Sequence, residues 1–267
     1  MFQETVPESL TQRYGAEITD APDALGPFLA HRSVRRYTEE QIPDSILAGL
    51  IAAAQSAATS SNLQSWSVIS IEDPVKRKLI AEACDNQKQI IAAPVFLAFV
   101  ADLNRIDAYA RAAGVVPDGL DTTEMYTVAV IDAALAAERL VCAAEALGYG
   151  ICYIGALRNH PDSIKELLNL PNKTFGVFGL CIGRPAENGH AHIKPKLLPD
   201  QIWFREEYPS ELDSGEYDAR MVGYFESNGM ASHDSWSKKS GNRVMTTGLS
   251  GREVLLRHLH DQGLLER

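Results

Sequence analysis

Between Glu124 and Leu147 the sequence runs apolar on nearly every side of a helix, with charge only at Glu124, Asp132, Glu138, Arg139 and Glu145. At 1.5 Å per residue such a helix spans about 35 Å. A helix apolar around most of its circumference must be covered on most sides. Its own core or a second copy of the chain can supply that cover. It is not a membrane span, because Asp132, Glu138, Arg139 and Glu145 interrupt its most apolar run, Val128 to Ala146. Gly148 suits its end, since glycine enters the left-handed conformation cheaply.

Elements of both kinds surround this helix. Residues 7–30 read as helical pieces punctuated by Pro22 and Pro27. Pro43-Asp44 opens a helix with Ile46, Leu47, Leu50, Ile51 and Ala54 on one face. Trp66–Ile71 is a strand candidate, and Asp73-Pro74 starts a helix running to about Asp85. Pro94–Val100 is almost wholly apolar and predicts a central strand buried on both faces. Ile151–Ile154 and Thr174–Ile182 predict further strands, with a helix over Asp162–Leu170 between them. After Gly183 the chain turns irregular and proline-rich. A helix near Asp213–Glu226, a Gly/Ser/Asn loop over Ser227–Gly251 and a final helix from Arg252 complete it. Strands and helices alternate, so the class is α/β or α+β, one domain with a C-terminal extension.

The chemistry concentrates in His31-Arg32-Ser33-Val34-Arg35-Arg36-Tyr37. Three guanidiniums, an imidazole and a hydroxyl stand together in a chain of net charge −10. Arginine keeps its charge and offers a planar fork of donors, so the cluster points to an anion. With 25 basic against 35 acidic side chains, nonspecific binding to nucleic acid or an anionic membrane is not expected. Met1 to Glu8 has neither a basic nor an apolar leader pattern, so no signal peptide is expected. Cys84, Cys142, Cys152 and Cys181 lack metal or disulfide spacing and read as reduced thiols of a cytoplasmic protein. His190-Ala191-His192 has no further ligand at matching spacing, so no metal is expected. Gly148-Tyr149-Gly150 follows a helix instead of opening one, which removes a dinucleotide fingerprint. Nucleophile elbow, P-loop and HExxH patterns are absent, and Trp236 reads as a packing anchor.

His31-Arg32-Ser33-Val34-Arg35, Thr59-Ser60-Ser61-Asn62-Leu63-Gln64, Gln87-Lys88 and the turn Gly148–Gly155 stand in one order. Leu170-Pro171, Phe178–Pro185 and Lys194-Pro195-Lys196 follow. This series, over residues 28–260, resembles the FMN-dependent nitroreductases of the oxygen-insensitive group-A type, which include NAD(P)H flavin reductases. The resemblance implies an α+β fold with a central mixed or antiparallel sheet flanked by helices. It implies a homodimer with an exchanged C-terminal arm, Gln201-Ile202-Trp203-Phe204 docking on the partner. The domains would be a helical extension 1–27, a flavin-binding core 28–200, and an extension 201–267 that wraps the partner and lines the nicotinamide and substrate side.

The resemblance also implies roles. His31, Arg32 and Ser33, with Lys194 and Lys196, would hold the FMN phosphate. Arg35 would reach the N1/O2 edge of the ring, where negative charge accumulates on reduction. Gln87 would bond the ring or ribityl chain. In the turn Tyr153-Ile154-Gly155-Ala156, Gly155 would turn its N–H towards N5. Ser60, Ser61, Asn62 and Gln64 would line the cofactor from the other subunit. No side chain is required as a nucleophile, because the flavin carries the chemistry. Lys196 stands where relatives commonly carry arginine, keeping charge without the fork. The implied reaction is a two-step hydride transfer from NADH or NADPH to a small-molecule electron acceptor such as a nitroaromatic, a quinone or a free flavin. A non-catalytic flavin carrier, or a flavin-consuming or dehalogenating relative, is the alternative. In the group-A type, arginines ahead of an Asp-x-Trp element meet the 2′-phosphate of NADPH. Here Ser227–His233 holds none, which tilts the expectation towards weak selectivity or NADH; Lys238, Lys239 and Arg243 are the nearby substitutes.

Overall fold

The computed structural model describes residues 4–15, 21–187, 189, 191–230 and 234–267. The readings of Met1–Gln3 as leaderless, of His190 as one of a histidine pair without further metal ligands and of Ala231–His233 as part of an arginine-free loop lie outside the described residues. The helices are α1 (Val6–Tyr14), α2 (Gly26–Leu29), α3 (Asp44–Gln55), α4 (Pro74–Ala83), α5 (Lys88–Ala92), α6 (Asn104–Ala112), α7 (Thr123–Ala146), α8 (Pro161–Leu168), α9 (Gly215–Ser227), α10 (Trp236–Val244) and α11 (Leu255–Asp261). The strands are β1 (Trp66–Ser70), β2 (Val95–Asp102), β3 (Gly150–Ile154) and β4 (Thr174–Gly183). Two compact units result, each drawn from two stretches of chain. Ser33–Ala191 joins Gly251–Arg267, and the residues up to Arg32 join His192–Ser250.

The first unit is built on an antiparallel sheet of order β1-β2-β4-β3. Strand β2 is buried from Phe96 to Asp102, and its alternation serves two cores. Phe96, Ala98 and Val100 pack with Ile80, Ile90, Ile154 and Leu157, whereas Leu97 and Phe99 pack with Leu50, Leu140, Val141 and Ile182. That is why its apolar run needs no polar alternation. Helix α7 starts where the Thr122 side chain accepts from the Met125 N–H, and Gly148 follows its end at φ +77°. Val128, Ala133, Ala137, Leu140 and Ala144 face the unit's own core. Ile131 and Leu135, one turn apart on another face, stay 50% and 44% exposed.

The C-terminal stretch returns to this unit through α11. Leu259 packs with Ala129, Ala133 and Phe175, while the buried His258 places Nδ1 2.6 Å from Asp162 Oδ1. The bond with His258 is the main cause that holds the Asp162 carboxyl below its usual range. A carboxyl depressed in the folded state adds stability that is complete above its unfolded pKa, about 3.9. That increment disappears as pH falls through the lower folded value. Urea midpoints measured from about pH 5 down to about pH 3 should therefore decline less steeply in Asp162→Asn than in the wild type. Parallel declines in the two proteins would remove this bond from the account.

In the second unit, α1 opens on a reciprocal cap. Thr5 Oγ1 accepts from the Glu8 N–H while Glu8 Oε2 accepts from the Thr5 N–H. Helix α9 buries Tyr217, Met221 and Phe225 against Leu197, Met230 and Trp236. One expectation is corrected here: within Ser227–Gly251, read as loop, residues 236–244 form α10, followed by a short turn Thr246–Gly248. The Ser235 side chain accepts from the Lys238 N–H, Asp234 pairs with Lys238, and Trp236 meets the Tyr217 ring edge-on. These contacts override a composition rich in Ser, Gly and Asn.

Candidate functional site

In the first unit the basic segment lies along the outer edge of β3. Ser33 bridges Ile151 in parallel, the Val34 N–H donates to Ile151 O at 2.8 Å, and Tyr37 Oη donates to Val34 O. Gly150 makes this approach possible, because a Cβ there would fall 2.5 Å from Val34 Cγ2. The edge fixes the backbone and leaves the Arg35 and Arg36 side chains exposed.

Strand β3 ends in Tyr153 and Ile154 and passes into a turn, Gly155–Arg158. Tyr153 Oη donates to Glu138 Oε2 at 3.1 Å; burial above all, and then that carboxylate, push its phenol far up. Ile154 and Ala156 are buried, whereas Gly155 is half-buried. The nearest atoms to a Cβ built there are guanidinium nitrogens, Arg158 Nη2 at 3.6 Å and Arg252 Nη2 at 4.0 Å. Arg252 Nε donates to Asn159 Oδ1, and Asn159 Nδ2 donates to Asp85 Oδ2 at 2.5 Å. Asp85 and Asn86 are left-handed and lead directly to the half-buried Gln87. Buried Asn159 thus ties the Gly155 turn to the Gln87 turn.

Ser60, Ser61, Asn62 and Gln64 sit before β1, at the sheet edge opposite β3. Three strand spacings of about 4.8 Å put roughly 14 Å between those edges. Within one chain, therefore, the sheet does not bring this loop to Gly155. Ser61, Asn62 and Gln64 all have positive φ, a region that costs non-glycine residues energy. Asp132 holds the loop there. Its carboxylate accepts from Thr59 Oγ1 at 2.5 Å and from the N–H groups of Ser60 and Ser65 at 3.2 and 3.0 Å. Arg105 Nη2 adds a bond to Gln64 O. Asp132 is 1% exposed and was missed from the sequence, where it read as an interruption of an apolar helix. A lone carboxylate among inward-facing alanines was the signal available.

The second unit contains His31, Arg32, Lys194 and Lys196. Arg32 is buried; its Nε donates to Ala30 O and its Nη1 to Glu4 Oε1 at 2.7 Å. The hydrogen bond from Arg32 is the largest influence on Glu4 and lowers its pKa. His31 is half-buried, while Lys194 and Lys196 are exposed. Tyr217 Oη donates to Pro195 O and Arg220 Nη2 donates to Lys196 O, both at 3.0 Å. The side chains of Lys194 and Lys196 thus project from a backbone fixed between them.

Among the described residues no group of three His, Cys, Asp or Glu could hold a metal, and no helix is long and apolar enough to cross a membrane. Cys84, Cys152 and Cys181 are buried. Burial pushes the Cys84 thiol up to about 12 and Cys181 well above its usual value, so neither offers a thiolate nucleophile at neutral pH.

Comparison with known proteins gives concordant matches. The Nitroreductase family model matches residues 29–184, and its C-terminal-domain model matches residues 194–267. The oxygen-insensitive NADPH nitroreductase of Salmonella typhimurium is 34% identical over 89% of this chain and 96% of its own length. The FMN reductase (NADPH) of Bacillus subtilis is 34% identical over 80% of this chain and 88% of its own. The solved structure of B. megaterium NfrA2 superposes with a TM-score of 0.85 at 34% identity, covering 92% of this chain and all of that one.

Proposed function

The chain belongs to the nitroreductase family, and on that premise we propose that it is an FMN-dependent NAD(P)H oxidoreductase acting on nitroaromatics, quinones or free flavins in the cytoplasm. Each unit, taken by itself, carries residues that fit one part of FMN. A nucleotide phosphate suits the cations of His31-Arg32, Lys194 and Lys196. A planar ring would suit half-buried Gly155, which has no side chain of its own and whose Cβ direction meets guanidinium nitrogens of Arg158 and Arg252 at 3.6–4.0 Å. That glycine beside two guanidiniums, at the end of β3, is the observation that carries the reading.

FMN, when bound, supplies the two-electron chemistry between the nicotinamide and the acceptor. The chain's residues do the rest. Arg35, with Arg158 and Arg252, places fixed positive charge where the ring gains electron density. The Gly155 N–H would direct a donor at N5, and Gln87 would orient the ring or ribityl chain. Ser33 adds a hydroxyl to the phosphate contacts. Ser60, Ser61, Asn62 and Gln64 serve the site of a second copy, in keeping with their place at the far sheet edge. A homodimer would cover Ile131 and Leu135 on α7, and the exposed Ile202 and Trp203 would dock on the partner.

The second unit also bears on the electron donor. Lys238 is engaged by Asp234 at 2.6 Å, Lys239 lies 3.8 Å over the Phe225 ring, and Arg243 Nη1 donates to Gly248 O. Each substitute cation for a 2′-phosphate thus has a local partner. One experiment tests both claims: anaerobic mixing of the FMN-loaded protein with NADH or NADPH. The flavin absorption band should bleach with both, at kcat/KM values within about tenfold of one another, as expected when phosphate contacts worth about 1–2 kcal/mol each are missing. Failure to bleach with either donor would leave a flavin carrier. A hundredfold preference for NADPH would assign the 2′-phosphate to one of these cations.

A further inference from the structure

Helix α1 reaches the phosphate residues through one side chain. Arg13 is only 7% exposed. Its Nε donates to Leu29 O at 2.8 Å and its Nη2 to His31 O at 3.0 Å. Its own carbonyl accepts the Lys196 N–H at 2.8 Å. One residue therefore binds the backbone of both basic segments, the one ending in His31-Arg32 and the one running Lys194-Pro195-Lys196. The two segments lie more than 160 positions apart in sequence. Glu4, from the same N-terminal stretch, then holds the Arg32 side chain. The family match begins only at residue 29, so Arg13 and Glu4 precede it.

We propose that Arg13 is a positioning residue for the cofactor phosphate: it fixes the spacing between His31-Arg32 and Lys194–Lys196 so that both sets of cations bear on one anion. This rests on the assignment of those residues to the FMN phosphate. The residue type suits the task. A guanidinium fork bonds two carbonyls at once with little freedom left to lose, whereas an ammonium on a flexible stem acts as a single point of charge. Its carbonyl adds a third tie that fixes how far the Lys196 backbone stands from the Arg32 backbone. Its Nε and Nη2 are taken up by backbone carbonyls, so through these bonds it acts on the phosphate by way of the cations it places. Arg13 precedes the sequence motifs, and the bonds described here run to backbone atoms, which leave no signature in a motif.

A bracing role for α1 alone would lower stability without regard to the ligand's phosphate. The test therefore compares two ligands with the same ring. The full-length protein, freed of flavin, is titrated with FMN and with riboflavin, which lacks the phosphate, by quenching of flavin fluorescence. The wild type should bind FMN more tightly. In Arg13→Gln the FMN-to-riboflavin affinity ratio should fall about tenfold or more while riboflavin affinity holds, with Arg13→Lys in between. An unchanged ratio in Arg13→Gln overturns the proposal while leaving the phosphate assignment intact. Equal affinity for FMN and riboflavin in the wild type overturns the assignment itself. If Arg13→Gln shows no cooperative melt, Arg13→Lys decides: a ratio equal to the wild type's then rejects the proposal.

Discussion

Replacing Asp132 by alanine is expected to lower the free energy of unfolding by about 3 kcal/mol and to loosen residues 59–65 first. The carboxylate collects three donors, and the Ser65 N–H is buried. Each buried donor left without an acceptor costs about 1–3 kcal/mol, set against a total stability of about 5–15 kcal/mol. The alanine protein also loses the anchor that keeps Ser61, Asn62 and Gln64 left-handed. Asparagine should do little better. Oδ2 accepts from both Thr59 and Ser65, while Oδ1 accepts from Ser60; an amide nitrogen at either position would set a donor against a donor. Urea unfolding gives the total, and hydrogen exchange at Ser60 and Ser65 locates the opening. A midpoint within error of the wild type would show that the loop holds itself.

Two substitutions on α7 should fail in opposite ways. Val141 is fully enclosed in the subunit's own core, so a change there tests the subunit and not a contact between copies. Val141→Glu buries an unpaired charge, at a cost on the order of 3–5 kcal/mol. Most of the purified protein should melt without a cooperative transition or be recovered insoluble. Leu135 is partly exposed in one chain. Leu135→Glu should leave the melting of the subunit close to the wild type's while weakening self-association of the proposed homodimer by about 2–4 kcal/mol, because a two-fold interface would take the substitution twice. Light scattering reads this directly. A Leu135→Glu protein that stays dimeric would place the interface elsewhere.

These cases show where the sequence speaks and where it falls silent. Strand β2 was legible because burial on both faces requires apolar residues at nearly every position, and Val95–Ala101 supplies them. The end of α7 was legible because Gly148 is the residue a left-handed position favours. Helix α10 was not, since its stability comes from the Ser235 cap and from Trp236 on Tyr217, a contact 19 residues away. Helix α6 gave no comparable signal; its first turn is fixed by Asp102 accepting from the Arg105 N–H. In the site, the cations and Gly155 could be read from motifs, because charge and the missing side chain are properties of residue types. Asp132 and Arg13 could not, because their work is done on backbone groups far away in the chain, and a backbone carbonyl or N–H leaves no trace in composition.

The interleaving of the two units has a consequence for synthesis. Gly251–Arg267 completes a unit whose remainder ends at Ala191, with Leu259 closing against Ala129 and Phe175. On a ribosome adding about 5–20 residues per second, roughly 3–12 s separate the emergence of those two parts. During that interval the sheet has its strands but lacks α11, and the apolar surface of α7 that Leu259 covers stands open. The same arrangement means that neither unit corresponds to a continuous piece of gene, so a truncation that removes the last stretch strips the first unit of part of its core. Crowded, newly made chains should therefore depend on chaperone cover late in translation, after every strand of the sheet is already available.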